Sequence, residues 1–179
     1  MKTPLQSLAC LLGLSLISGI FLHEGSPCLA QEKKFPSDSG IVNITSYGVD
    51  LADNSNDDTQ KILQAIKDNI GRSKIIYFPN GVYNINNTLE WKNSSGKWGA
   101  YLSFQGQSRA NTIFKLRNNT FTSTGAPKAV IKTADDATEE GNEAFRNSIQ
   151  DITVNTGTGN TGAIGIDWLA NNRGILENV

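Results

Sequence analysis

The feature that most constrains the fold of this chain is a series of short β-forming segments separated by glycine, asparagine and serine. Many short strands of this kind are typical of a sandwich, a barrel or a solenoid, so the sequence predicts an all-β protein. After residue 72, we predict strands at 75–78, 81–85, 88–91, 100–106, 111–116, 129–133, 149–154, 162–169 and 174–179.

An internal repeat near the end of the chain favours the solenoid. The segment 148–152 aligns with 175–179 at an offset of 27 residues, and both end on a polar residue, Asp or Asn, and an aliphatic residue. A period of about 20–50 residues is the signature of stacked repeats. The 19 asparagines agree with this, because stacked turns can align side-chain amides. The alignment places Val179 at the position of Ile152, on the same inward column.

One segment has the period of an α-helix, which we predict over about 58–70. Asp57 or Asp58 is expected to cap the first turn, and Gly71 is expected to end the helix. The helix has a single apolar stripe and should therefore cover the core on one side only. This stripe consists of Ile62, Ala65, Ile66 and Ile70.

The first 30 residues have the pattern of a secretory signal peptide. Lys2 gives a charged start, an apolar stretch follows over 8–22, and 28–30 (Cys-Leu-Ala) offers a cleavage site before Gln31. The apolar run is shorter than the ~18 residues that a membrane span requires. We therefore predict a protein that is secreted, extracellular or periplasmic, and not held in a membrane after cleavage. The predicted organisation is a signal peptide at 1–30, a flexible leader at 31–40 and one domain over 41–179.

Composition beyond residue 30 excludes several kinds of chemistry. Cys10, Cys28 and His23 all precede residue 31, so the remaining chain has neither cysteine nor histidine. Disulfides, thiol nucleophiles, Ser-His-Asp triads and histidine metal sites are therefore excluded. The near balance of 16 Lys+Arg against 17 Asp+Glu argues against a nucleic-acid partner. No cofactor and no metal is expected.

Three motifs resemble the opening of right-handed parallel β-helix proteins. They are 44–48 (ITSYG), 56–59 (NDDT) and, after the predicted helix, 76–83 (IYFPNGVY). The order is similar to the N-terminal module shared by rhamnogalacturonases, epimerase-like proteins and pectate lyase superfamily members. Stretches at 142–157 and 163–166 resemble a later coil of the same proteins. The resemblance covers about 41–179.

The resemblance implies a right-handed, single-stranded parallel β-helix in which the helix at about 58–70 caps the open N-terminal end. An uncovered end of a solenoid exposes apolar interior and needs such a cap. Tyr77 and Phe78 would lie on the first strand of the first coil. Gly81 would supply the positive φ that the following corner requires. The apolar stripe of the helix, Ile62, Ile66 and Ile70, would rest on this coil.

The resemblance also implies a secreted hydrolase or lyase that acts on an acidic polysaccharide such as pectin. The catalytic carboxylates of polygalacturonase-like members, with a downstream His, Arg and Lys, are not identifiable, so enzyme activity and catalytic residues stay open. At 27 residues per coil, 74–179 would hold about four coils. We expect an N-terminal fragment, truncated at Val179, that lacks the catalytic groove. The alternative is a non-catalytic glycan-binding or structural module, such as an adhesin or a tailspike-like stem. The sugar and the oligomeric state stay open.

Several carboxylates are candidates for a site. Asp53, Ser55 and Asp57 have the spacing of the start of a calcium loop, although helix capping explains the same residues. A glycosidase needs two carboxylates that face each other across the sugar, which neighbours in one loop rarely do. An outward acid on a strand can instead line a groove or join a ladder. The loop pairs are Asp135-Asp136 and Glu139-Glu140, and the strand acids are Asp151 and Asp167.

Aromatic residues and sequons complete the candidates. Trp91, Trp98 and Tyr101 cluster around the polar segment 92–97. Exposed rings can stack on sugars, but packing in the core or at a coil edge explains them equally simply. Four sequons would carry glycans only in a eukaryotic secretory pathway, and they stand at Asn43, Asn86, Asn93 and Asn118.

Overall fold

A computed structural model of the chain describes residues 33–53, 55–134 and 144–179. The predicted signal peptide and the paired carboxylates at 135–136 and 139–140 lie outside the described residues. Within the described part, none of the helices combines the length and the hydropathy needed to cross a bilayer.

The described elements are short strands with one α-helix between the first and the second strand. In chain order they are β1 (Ile41–Asn43), a 3-10 helix (Ile44–Tyr47), α1 (Thr59–Asn69), β2 (Lys74–Phe78), β3 (Gly81–Ile85), β4 (Leu89–Glu90), β5 (Leu102–Gly106), β6 (Thr112–Leu116), β7 (Lys128–Lys132), β8 (Ser148–Gln150), β9 (Thr153–Asn155), β10 (Ala163–Asp167) and β11 (Ile175–Glu177).

These strands form three parallel sheets. The first sheet has the order β1-β2-β5-β8-β11, the second β3-β6-β9 and the third β4-β7-β10. All of the strand pairings within these sheets are parallel. From β2 onward the chain visits the first, second and third sheet in turn, and we call each such passage through the three sheets a coil. This mostly β architecture is compatible with a parallel β-helix.

The predicted internal repeat is confirmed by strand pairing, but its uniform spacing is wrong. β11 pairs with β8 so that Ile175 lies beside Ser148, an offset of 27 residues. β2 and β5 are offset by 28 residues, whereas Ser103 on β5 and Ser148 on β8 are 45 apart. A longer connection between β7 and β8 lengthens this coil, so the estimate of about four equal coils over 74–179 does not hold.

The strand predicted over 149–154 is two strands. Asp151 has a φ of 56°, which extended backbone cannot adopt, so the chain turns there between β8 and β9. Asn178 lies at the equivalent position after β11 with a φ of 52°. Ile152 and Val179, which follow these two turns, correspond in register as the repeat predicts. Their burial differs, because Ile152 is fully buried and Val179 is 43% exposed.

The core is one apolar cluster to which all three sheets contribute. Alternate residues of β5 and β6 point into it, which places Phe104 and Phe114 inside. Phe78 packs on both rings, with centroid distances of 4.8 and 4.9 Å. Trp91, fully buried, packs 4.7 Å from Phe104. The alternation that buries these rings turns the intervening polar residues outward.

The predicted helix is confirmed, with its apolar stripe buried. Ile62 and Ile66 are fully buried and Ile70 is 7% exposed, all within the common core. The carboxylate of Asp57 accepts a hydrogen bond from the backbone N–H of Thr59 at 3.0 Å. Asp58 takes the N-cap position, but its side chain makes no capping bond. Gly71 follows the helix with a φ of 78°, as its stop signal predicts.

The prediction that Gly81 supplies a positive φ is wrong. The backbone of Gly81 does not have a positive φ. A Cβ at this position would instead lie 2.7 Å from Cδ2 of Leu51, which packs over the start of β3. A methyl group at this position would therefore displace the end of the Leu51 side chain, and the corner needs no left-handed residue there.

The side chain of Asp58 joins the helix to the first coil from a buried position. It is 1% exposed, and its Oδ2 accepts a hydrogen bond from the backbone N–H of Asn84 at 3.2 Å. The N–H of Asp58 donates to the carbonyl of Asn84 at 2.9 Å, and the Lys61 ammonium lies 3.6 Å from Oδ1. Burial raises the pKa of Asp58 above its usual value, despite the opposing effects of the Asn84 bond and of Lys61.

This raised pKa predicts the pH dependence of stability. The folded chain holds the Asp58 proton more tightly than the unfolded chain, so the contribution of Asp58 becomes more favourable as pH falls through the folded pKa toward 3.8. Asp58→Asn removes this titration. The free energy of unfolding of the wild type minus that of Asp58→Asn, from urea titrations, should increase between pH 7 and pH 4. A difference that decreases over this range would contradict the assignment.

Candidate functional site: a lysine-rich groove on the third sheet

A groove of about 640 Å³ lies over the third sheet and the flank of α1. Its size is within the range of about 300–1,000 Å³ that is usual for ligand pockets. Leu63, Ala129 and Ile164 give it an apolar part. Six charged side chains line the remainder, namely Lys67, Glu90, Lys92, Lys128, Lys132 and Asp167. We call this surface the lysine groove.

Strand alternation and register place the central charges of the groove. On β4 and β7, Leu89 and Ile131 are fully buried, so the residue that follows each of them points outward. Glu90 pairs with Lys132, and Lys132 pairs with Asp167 on β10. Opposite charges thus alternate across the three strands, an arrangement that favours the pairing of neighbouring strands.

Two ion pairs orient these side chains. The Lys132 ammonium lies 2.7 Å from Oδ2 of Asp167, and the Lys92 ammonium lies 3.0 Å from Oε2 of Glu90. Exposed pairs of this kind contribute only about 0–1 kcal/mol to stability. Their effect is to neutralise both carboxylates of the groove and to fix two of its lysines.

The other two lysines give the groove its net positive charge. Within the described residues, Lys67 and Lys128 have no carboxylate at ion-pair distance. Lys67 is exposed on α1, and Lys128 is exposed at the start of β7 with its ammonium 5.9 Å from the ring centroid of Phe121. The two lysines line the groove from the helix and from the sheet.

The three aromatic residues expected to cluster occupy different environments. Trp91 belongs to the core, as the packing interpretation predicts. Trp98 is half-buried beside the groove, and the Lys92 ammonium lies 4.4 Å from its ring centroid. Tyr101 is 39% exposed and stacks on Phe145 at 6.4 Å. Of the three, Trp98 is the ring that neighbours the groove.

The predicted strand acids have separate roles. Asp167 lies in the groove, bound to Lys132. Asp151 bridges three coils, because it accepts hydrogen bonds from the side chains of Asn178 and Gln105. These two bonds, that from Asn178 first, hold the pKa of Asp151 below its usual value. Asp151 is therefore a structural bridge between coils.

The side chains proposed for a calcium loop make local hydrogen bonds. Asp53 accepts from the hydroxyl of Ser55 at 2.6 Å and from its N–H, and these bonds lower the pKa of Asp53. Asp57 accepts from Thr59 at the start of α1. Among the described residues, no cluster of three or more potential metal-ligating His, Cys, Asp or Glu residues occurs. A local turn at Asp53 and Ser55 and helix capping by Asp57 thus account for these hydrogen bonds.

The asparagines of the predicted sequons are all engaged in side-chain hydrogen bonds. Their partners include the Lys33 carbonyl, the Asp57 carboxylate and backbone N–H groups in turns. The four residues are Asn43, Asn86, Asn93 and Asn118.

The groove as a whole suits binding better than acid–base catalysis. Glu90 and Asp167 are two strands apart, which corresponds to roughly 9–10 Å between their backbones. Lys132 stands between them and binds Asp167. A glycosidase needs one carboxylic acid and one carboxylate with free access to opposite sides of the sugar bond. Here both carboxylates are already paired with ammonium groups.

Sequence reasoning identified Asp167 but missed the lysines of the groove. The central charges of the groove, Glu90, Lys132 and Asp167, share an outward position directly after an inward aliphatic residue on β4, β7 and β10. That signal can be read only when the strands are aligned. The unequal coil lengths hide the alignment, because no single offset brings Glu90, Lys132 and Asp167 into one column.

The three parallel sheets and the helix make this a mostly β protein whose described part is compatible with a parallel β-helix. A family model described as rhamnogalacturonase A/epimerase, pectate lyase-like, matches residues 41–179. The chain belongs to this family, which confirms the resemblance of its opening motifs.

Solved structures give a more distant likeness. The chain is similar to ORF18 of Geobacillus virus E2, with a TM-score of 0.54 and 20% identity over 70% of this chain and 22% of that one. It is also similar to the Agl-KA catalytic domain, with a TM-score of 0.46 and 15% identity over 68% of this chain and 24% of that one. The chain therefore spans less than a quarter of the length of either. The first likeness supports the fold alone. No curated protein sequence matches the chain.

Proposed function

We propose that this chain is the N-terminal part of a secreted protein that acts on an acidic polysaccharide, and that it binds such a glycan in the lysine groove. The observation that carries the proposal is the pair of lysines, Lys67 and Lys128, that face the groove without a carboxylate partner among the described residues. Hydrolase or lyase activity is proposed for the whole protein on the basis of its family, with catalytic residues outside the described part of this chain.

The chemistry of the groove fits a uronic acid chain. Two ammonium groups on opposite sides can each receive a sugar carboxylate in a charge-assisted hydrogen bond. The half-buried ring of Trp98, next to Lys92 at the edge of the groove, offers an apolar surface on which a pyranose ring can pack. Lys92 and Lys132 keep their own carboxylate partners, so they shape the site without adding net charge.

The proposed architecture places this groove on one face of a right-handed, single-stranded solenoid. α1 would cap its N-terminal end, with Ile62, Ile66 and Ile70 on the first coil. The buried stripe and the cyclic order of the strands support this arrangement.

A binding titration tests the proposed glycan site. Lys67→Ala/Lys128→Ala should weaken binding of a galacturonate oligosaccharide about tenfold or more, since each lost ionic contact is worth roughly 1 kcal/mol. The matched control is Lys74→Ala/Lys115→Ala, which removes the same charge from β2 and β6 and should leave the dissociation constant unchanged. Isothermal titration calorimetry at low and high salt provides the measurement.

Three outcomes of this titration are decisive. The methyl ester of the same oligosaccharide should bind weakly, because it lacks the carboxylates. An equal loss of affinity in the two double variants would mean that the overall charge of the protein attracts the ligand. The lysine groove would then make no specific contribution. Full affinity in Lys67→Ala/Lys128→Ala would remove the groove from the proposal.

The second candidate is a non-catalytic glycan-binding or structural module. It is favoured by the ion-paired state of both groove carboxylates, Glu90 and Asp167. Chromatography of polygalacturonate after incubation with residues 31–179 distinguishes the candidates for this part of the protein. Intact polymer agrees with binding alone, and shortened or unsaturated products would identify an active site that this polypeptide contains.

A further inference from the structure

One corner of the fold holds a row of residues in a backbone conformation that they rarely adopt. Ser73, Tyr101, Arg146 and Arg173 have φ values of 53°, 57°, 53° and 66°. Each lies one or two residues before a strand of the first sheet, namely β2, β5, β8 and β11. All four are exposed.

Backbone hydrogen bonds stack these residues on one another. The N–H of Tyr101 donates to the carbonyl of Phe145 at 2.8 Å, and the N–H of Arg146 donates to the carbonyl of Asn172 at 3.2 Å. In a parallel ladder these bonds place Tyr101 beside Arg146, and Arg146 beside Arg173. The pairing of β2 with β5 extends the row to Ser73. We call these four residues the corner column, with a step of roughly 4.8 Å from coil to coil.

The residue types of the corner column are unexpected for its backbone. A side chain in the left-handed region is strained, whereas glycine adopts the same φ freely and asparagine and aspartate tolerate it. Other left-handed positions of this chain follow that preference, as at Asn119, Asp151 and Asn178. The corner column has tyrosine and two arginines instead. Glycine at these positions would avoid the backbone strain. The strained side chains therefore point to a function other than stabilising the fold.

The exposed side chains of the column share one chemistry. Within the described residues, neither Arg146 nor Arg173 forms an ion pair. Tyr101 lies next to them, with its ring nearly parallel to that of Phe145, at 14°. Arginine offers a planar fork that binds a carboxylate through two hydrogen bonds. Two such forks on successive coils, beside an aromatic face, fit a polymer with regularly spaced carboxylates and ring-shaped units.

We propose that the side chains of Tyr101, Arg146 and Arg173 in the corner column form a second binding surface for an acidic glycan, in addition to the lysine groove. The inference rests on the proposed function for the class of ligand, but it concerns different residues. A uronic acid chain is favoured over a nucleic acid because the whole chain has a formal net charge of -1 and lacks a general basic excess.

Replacement by glycine separates strain from binding. Arg146→Gly/Arg173→Gly keeps the backbone and removes both guanidinium groups, so its thermal midpoint should equal or exceed that of the wild type. Its dissociation constant for a galacturonate oligosaccharide should rise about tenfold or more. Ser73→Gly is the matched control, since it relieves strain in the same column without loss of charge, and it should bind like the wild type. Arg146→Asn/Arg173→Asn, which also tolerates this φ, should behave like the glycine pair.

The outcomes for the two surfaces are distinguishable. Unchanged affinity in Arg146→Gly/Arg173→Gly, with loss in Lys67→Ala/Lys128→Ala, would overturn the corner column and leave the groove intact. A loss of affinity only in Arg146→Gly/Arg173→Gly would support the corner column as a binding surface and would overturn the lysine groove. Absence of binding by the wild type would overturn both. Tighter binding of a single-stranded DNA of equal charge would also overturn the column as a glycan surface.

Discussion

Gly106→Ala is expected to reduce the free energy of unfolding by about 3 kcal/mol, at the upper end of the usual effect of overpacking. Gly106 is the last residue of β5, directly beneath the next coil. A Cβ there would lie 2.0 Å from the carbonyl oxygen of Asp151 and 3.0 Å from Cγ1 of Ile152. The first of these atoms belongs to the backbone of the adjacent coil, so the coils would have to separate to accept a methyl group.

Urea unfolding followed by circular dichroism measures this effect. Gly125→Ala is the matched control, because no atom lies within 4 Å of the position where its Cβ would stand. Its stability should stay within about 0.5 kcal/mol of the wild type. A Gly106→Ala protein as stable as Gly125→Ala would show that β5 and β8 are not stacked at the described spacing.

Ile66→Ala is expected to cost about 3 kcal/mol, within the range for removal of a large aliphatic side chain from a core. Ile66 is fully buried on the stripe of α1, in the same cluster as Ile76 and Leu89 of the first coil. The truncation leaves a cavity between the helix and the sheets. The shortened side chain cannot fill this cavity, because the 3-10 helix, β2 and β4 pack against α1 and hold the surrounding backbone.

The same denaturation experiment applies, with Gln60→Ala as its control. Gln60 is exposed on the same helix, so its truncation should change the unfolding free energy by less than about 0.5 kcal/mol. Similar small losses in both variants would mean that the helix does not cover the core, and the proposed cap would have to be abandoned.

Local patterns in the sequence were sufficient for the elements of the fold. The stripe from Ile62 to Ile70 gave the helix to within a residue or two of its ends, because one buried face requires that period. Glycine and asparagine clusters marked most turns. The turn at Asp151 was missed, since a single aspartate between Gln150 and Ile152, without glycine or proline nearby, is a weak turn signal, yet it adopts a left-handed φ there.

The site could not be derived in the same way, because its residues meet only through the stacking of coils. Glu90, Lys132 and Asp167 are separated by irregular intervals, and their common column depends on connections of unequal length. The corner column was hidden for a second reason. Tyr101 and Arg146 lack the residue type that announces a left-handed backbone, so no rule based on glycine or asparagine finds them.

The asparagines were expected to align their side-chain amides in stacked turns, and Asn160 shows a different use of the amide. Asn160 accepts hydrogen bonds from the N–H groups of Thr120 and Phe121 and donates to the carbonyls of Arg117 and Thr156. One amide thus satisfies backbone groups of two successive coils. This use explains a high asparagine content in a chain with many turns.

A crystal structure of the chain with a bound galacturonate oligosaccharide tests the central claim most directly. The account predicts sugar carboxylates within about 3 Å of the ammonium groups of Lys67 and Lys128, with a pyranose ring near Trp98. An ordered oligosaccharide on the first or second sheet, with nothing bound over β4, β7 and β10, would contradict it.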